Sequence, residues 1–146
     1  MKFFKRKSQD KKIIFIVEDN EVYAKSLQEF LITCFPDIKE IKTFRIGEMC
    51  LMEMHRSPNI VIMDYFLNSK YKDAYNGLET IKQIKVVKPQ TNIILLSSQE
   101  KLSVILEAIK QYDCYYLLKK DQEAFYRVKQ CIIEIFNREK SPAYKS

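Results

Sequence analysis

Ile60-Val61-Ile62-Met63-Asp64 decides the fold: four apolar residues in a row, closed by a carboxylate. A short apolar run after a proline (Pro58) and before a polar stretch reads as a strand buried on both faces, as strands of parallel sheets are. An earlier run, Ile13-Ile14-Phe15-Ile16-Val17, has the same form and ends in Glu18-Asp19. In an open parallel α/β sheet, ligands bind outside the carboxyl ends of the strands. If these two strands are neighbours, Glu18, Asp19 and Asp64 converge there, and three close carboxylates need a cation. A hard divalent ion with oxygen ligands suits them, and Mg²⁺ characteristically shares its shell with waters and a phosphate. Phosphoryl chemistry on a carboxylate is the expectation.

Outward from these runs the chain alternates. Glu21–Phe35 reads as an amphipathic helix capped by Asp19 or Asn20, with Val22, Leu27, Phe30, Leu31 and Cys34 facing inward. Pro36-Asp37 ends it, and Ile38–Phe44 alternates like an edge or half-buried strand. Gly47–Met54 is a second helix, with Met49, Cys50 and Met54 toward the core. After Ile60–Met63 comes a polar, tyrosine-containing loop over 65–76, then a helix over Gly77–Val87 that Lys88-Pro89 ends. Ile93–Leu96 is the fourth strand, Leu102–Tyr112 the fourth helix and Tyr115–Leu118 the fifth strand. Glu123–Phe136 is the last helix, offering Phe125, Val128, Ile132, Ile135 and Phe136 for packing. Five strand-then-helix units with apolar strands predict a doubly wound five-stranded parallel sheet covered on both faces.

The 146 residues bound this to one domain. The net charge of +6 misleads, because residues 1–12 carry +5, residues 138–146 carry +2, and the body between them carries −1. Basicity sits in the ends, so the body offers no basic face for nucleic acid, and direct DNA binding is not expected. We therefore expect a basic N-terminal tail over 1–11, a folded domain over 12–137 and a C-terminal tail over 138–146, with no effector domain. No stretch approaches the ~20 apolar residues of a membrane span, and Met1–Lys7 lacks the apolar core of a signal peptide. Cys34, Cys50, Cys114 and Cys131 lie in apolar stretches without C-x-x-C spacing, and His55 is the one histidine. No zinc pattern results, and reduced cysteines in a cytoplasmic protein are expected. His55 reads as a helix-end or surface residue.

Four polar signals fall at successive strand ends: Glu18-Asp19, Asp64, Ser97-Ser98 and Lys119-Lys120. In kind and order they resemble the receiver domain of two-component response regulators, a flavodoxin-like (βα)5 fold, over about residues 12–136. The resemblance implies that Asp64 is the phosphoacceptor, a nucleophile that forms an aspartyl phosphate. It implies that Glu18 and Asp19 hold Mg²⁺ with Asp64 and the backbone carbonyl of Phe66. Lys119 matches the lysine that pairs with the phosphoryl group, Ser97 the hydroxyl that turns toward it, and Tyr116 the aromatic switch that follows Ser97. Lys119 is expected to act on the phosphoryl group alone, so that its loss leaves the metal-free fold as stable as before.

The implied function is a single-domain response regulator, phosphorylated in a Mg²⁺-dependent reaction by a histidine kinase. Output runs to a downstream protein in trans through the face of the fourth strand, fourth helix and fifth strand, or onward to a histidine phosphotransfer protein. A homodimer on phosphorylation is possible within the family. It is not a turnover enzyme: its only chemistry is self-catalysed phosphoryl transfer and autodephosphorylation. A pseudo-receiver, a protein-binding module that works without phosphorylation, is the alternative. A phosphohydrolase of the Asp-x-Asp type lacks its second aspartate, because Phe66 stands there. No Gly-rich phosphate loop exists, the glycines being Gly47 and Gly77. Three departures from the family pattern stand out. Lys120 replaces the usual proline, Ser98 replaces a smaller residue, and Gly77 comes thirteen residues after Asp64 rather than about eight. The excess length is expected to tune phosphoryl lifetime or partner choice.

Overall fold

The computed structural model of the protein describes residues 11–65, 77–98, 106, 109–119 and 122–140. In chain order these form β1 (Ile13–Val17), α1 (Glu21–Cys34), β2 (Glu40–Phe44) and α2 (Gly47–Leu51). A 3₁₀ turn (Met54–Arg56), β3 (Ile60–Asp64), α3 (Gly77–Val87) and β4 (Asn92–Ser97) follow. A helical stretch with described residues 109–112 (α4) leads to β5 (Tyr115–Leu118) and α5 (Ala124–Lys140). The five strands are parallel in the order β2-β1-β3-β4-β5. This is the flavodoxin-like order, whose reversal point lies between β1 and β3.

Every residue of β1 and β3 is buried, which is why their sequences run apolar without alternation. Side chains of a strand point to opposite faces in turn, and the core divides accordingly. Phe15, Val17, Val61, Met63, Ile93 and Leu95 pack under α2 and α3 with Cys50, Met54, Ile81 and Ile84. Ile14, Ile16, Ile60, Ile62, Ile94 and Leu96 pack under α1 and α5 with Leu27, Leu31, Val128, Ile132, Ile135 and Phe136. Each such side chain contributes roughly 1.5–3 kcal/mol on burial. The sheet edges, β2 and β5, are the least buried strands.

Two helical phases differ from expectation. Val22 is 77% exposed, and Ala24, Leu27 and Leu31 form the buried stripe of α1, flanked by Tyr23, Phe30 and Cys34. Val22 precedes Leu27 by five residues, about 140° around the helix, so it faces solvent. Met49 is likewise half-exposed, while Cys50 and Met54 are buried as expected. The predicted single helix over 47–54 breaks after Leu51 and resumes as the 3₁₀ turn, where His55 is exposed. The last helix continues to Lys140, into the stretch read as a tail. Glu139 there accepts bonds from Lys12 Nζ at 2.7 Å and Asn92 Nδ2 at 3.2 Å. All four cysteines are free thiols, and Cys34 alone is half-buried. No described helix is long and apolar enough to cross a membrane.

Candidate functional site

The register of the two central strands builds the site. Val17 pairs with Met63, so Glu18 and Asp64, one step further on, leave neighbouring strands side by side. The backbone stays tied beyond the strand ends. Glu18 N–H donates to Phe44 O at 2.9 Å, Tyr65 N–H to Leu96 O at 3.2 Å, and Lys119 N–H to Ser97 O at 2.9 Å. The acidic and basic side chains are therefore presented by rigid main chain.

Glu18, Asp19 and Asp64 are all buried, and each offers a carboxylate oxygen within 4.8 Å of the others. Lys119 reaches back past β4 to pair directly with Glu18, and its Nζ lies 3.6 Å from Asp64 Oδ2. Ser97, at the end of β4 between them, is fully buried. Burial, and then the neighbouring Asp64 charge, push the Glu18 carboxyl up to about 7, against the pull of the Lys119 hydrogen bond. Ionised together, three carboxylates facing one ammonium leave a deficit of two positive charges. The donors are all hard oxygens, without sulfur or imidazole, and that set fits a divalent cation of the Mg²⁺ kind.

The helix that follows the acid pair is set by Asn20. Its side-chain oxygen accepts from Tyr23 N–H at 3.0 Å, capping α1, and its own N–H donates to Glu18 Oε2 at 3.0 Å. Of the two capping candidates in the sequence, the structure uses Asn20. One residue thus starts the helix and orients a carboxylate of the cluster.

The structure brings together Glu18, Asp19, Asp64 and Lys119, with Ser97 beside them. Tyr116 is paired with Leu95 across β4–β5 and packs against the core on the α2–α3 side. Phe66, Lys120 and the 66–76 part of the loop lie outside the described residues. Two participants escaped sequence reasoning. Tyr23 is one, because the helical pattern in sequence puts Val22 in the inward position that Tyr23 takes in the fold. Its ring covers the Lys119 ammonium at 4.4 Å, and the signal was its spacing with Leu27, Phe30 and Cys34. Gly77 is the other: the sequence marks it as a helix start and as the late glycine after Asp64, and the structure adds that it lies against the backbone that follows Asp64.

A family model described as response regulator receiver domain matches residues 14–128. No curated protein matches the chain. Solved structures with the same fold include a CheY-like receiver domain protein from Methanospirillum hungatei, 16% identical with TM-score 0.73, covering 88% of this chain and 96% of that one. The BeF3-activated receiver domain of DrrB, a Thermotoga maritima regulator, is 21% identical with TM-score 0.71, covering 86% and 97%. A DNA-binding response regulator of the LuxR family from Staphylococcus aureus is 19% identical with TM-score 0.69, covering 86% and 99%.

Proposed function

The chain belongs to the response regulator receiver domain family of two-component signalling, and on that ground we propose that it acts as a response regulator receiver with Asp64 as its phosphoacceptor. The observation that carries this reading is the convergence of three buried carboxylates with Lys119 at the ends of β1, β3 and β5. An unpaired buried carboxylate is costly, and a cluster of three has no use in packing.

An Asp64 carboxylate oxygen attacks the phosphorus of a phosphohistidine on a sensor kinase or phosphotransfer protein. A P–O bond forms, the P–N bond breaks, and the electron pair leaves with the imidazole nitrogen. Glu18 and Asp19, with Asp64 and the carbonyl of Phe66, are the residues that would hold Mg²⁺, which supplies positive charge to the phosphoryl oxygens. Lys119, already 3.6 Å from Asp64 Oδ2, pairs with the phosphoryl charge once Asp64 carries it. Ser97 donates its hydroxyl to the same group, and Tyr116 follows Ser97 in signalling the change to the β4–α4–β5 face. Output passes from that face to a protein partner or onward along a phosphorelay, and the protein acts in the cytoplasm. Its chemistry is limited to its own phosphorylation and dephosphorylation.

Incubation with acetyl phosphate and Mg²⁺, followed by intact mass, tests the reading. One added phosphoryl group is expected, lost in Asp64→Asn and in EDTA. A protein that stays unlabelled under these conditions and does not bind beryllofluoride is a phosphorylation-independent module instead.

A further inference from the structure

Tyr23 sits at the third position of α1, and helical side chains lean toward the N-terminus of their own helix. That direction leads to the carboxyl end of the sheet. Its ring lies over the Lys119 ammonium at 4.4 Å, within the ~6 Å reach of a cation–π contact. Phe125 of α5 stands edge-on behind it, ring centroids 5.4 Å apart, and Phe30 buttresses Phe125 at 5.5 Å. The tyrosine is thus clamped by aromatic packing with one face turned to the site's lysine.

Its hydroxyl oxygen is buried and has no hydrogen-bond partner among the described residues. Buried hydroxyls of tyrosine almost always find one, and leaving one unmade costs more than phenylalanine would in the same place. Packing alone therefore does not account for the hydroxyl. Burial and the charges of Glu18 and Asp64 push its ionisation up to about 12, so it remains a neutral donor, and it lacks an acceptor.

We propose that Tyr23 is part of the phosphoryl site: its ring positions the Lys119 ammonium, and its hydroxyl donates a hydrogen bond to an oxygen of the phosphoryl group on Asp64. The inference rests on the receiver reading of the site and adds a residue to it. It assigns the acceptor that the orphaned hydroxyl lacks to a group that arrives only on phosphorylation.

The test uses the full chain and its Tyr23→Phe variant, with Mg²⁺ alone and then beryllofluoride at saturating Mg²⁺, followed by the rise in melting temperature. Tyr23→Phe keeps the ring and removes only the hydroxyl. The variant should melt at or above the parent temperature and bind Mg²⁺ as the parent does. It should bind beryllofluoride about tenfold more weakly, the loss expected for one hydrogen bond to a charged group. Tyr23→Leu, which also uncovers Lys119, should weaken beryllofluoride at least as much. Equal beryllofluoride affinity in parent and Tyr23→Phe overturns the assignment. A Tyr23→Phe protein that melts well below the parent overturns it as well, since the hydroxyl would then be structural. Failure of the parent itself to bind beryllofluoride sinks the receiver reading, an outcome distinct from either.

Discussion

Gly77 lies against the peptide between Asp64 and Tyr65: a Cβ placed on it would stand 2.5 Å from the Asp64 carbonyl oxygen and 2.9 Å from the Tyr65 Cα. Its N–H also donates to Tyr65 O at 3.3 Å. Both ends of the long loop after β3 are therefore held together at the proposed phosphoacceptor. The glycine is there for close approach, since no described glycine has a positive φ.

Gly77→Ala should displace the backbone that carries Asp64. The atoms that the added methyl would meet, Asp64 O and Tyr65 Cα and O, are main-chain atoms, which yield little, so a destabilisation of about 1–3 kcal/mol is expected. Slower labelling by acetyl phosphate should accompany it. Urea unfolding and intact-mass time courses check both; parent-like values in the two together would show that the turn accommodates a methyl.

Removal of residues 69–73 should leave labelling by acetyl phosphate intact and change the decay of the phosphoryl group or the choice of kinase. The loop leaves and returns through the Gly77–Tyr65 contact, so its length is decoupled from the position of Asp64, and closing a shorter loop costs little. Labelling, decay and kinase pairing all unchanged would show the length to be merely tolerated.

Glu18→Gln should stabilise the metal-free protein at pH 8. In the fold the Glu18 carboxyl is raised to about 7 from 4.5. Between those values the native state holds a proton that the unfolded state has released. Stability therefore falls as pH rises through that window, and is lowest above it. The amide removes this penalty, a gain on the order of 2 kcal/mol, and should lose Mg²⁺ affinity. Melting curves in EDTA at pH 5 and pH 8 provide the check: the advantage of the variant should appear only at the higher pH.

Lys119→Ala should destabilise the metal-free fold, contrary to the expectation from sequence. The ammonium is mostly buried and is paired with Glu18 and 3.6 Å from Asp64. Its removal leaves buried carboxylates uncompensated, at a cost of roughly 1–3 kcal/mol. Saturating Mg²⁺ should restore most of that loss. A variant as stable as the parent in EDTA would show that Lys119 contributes nothing before phosphorylation.

Thiol reagents should find one cysteine readily and three with difficulty. Burial pushes Cys50 and Cys131 up to about 12 and Cys114 up to about 11, leaving almost no thiolate at pH 8. Cys34 is half-buried and should react first. Peptide mapping after brief alkylation distinguishes them, with the other three appearing only in denaturant.

Sequence alone determined the strands, their order of appearance and the identities of the acidic pair, Asp64, Ser97 and Lys119. Strands buried on both faces must be apolar throughout, so Ile13–Val17 and Ile60–Met63 announce themselves, and a carboxylate closing such a run has no packing role. What only the tertiary structure decided are relations between segments distant in the chain. Lys119 pairs with Glu18 across 101 positions, a pairing set by strand order that no local pattern encodes. Tyr23 rather than Val22 turned inward because the phase of α1 is fixed by its Asn20 cap and by Phe125 of a helix a hundred residues away. Gly77 needed its missing side chain because the end of β3 folds back onto it. Periodicity reports which side of an element is apolar, while charge neutralisation and close approach depend on which elements the fold makes neighbours.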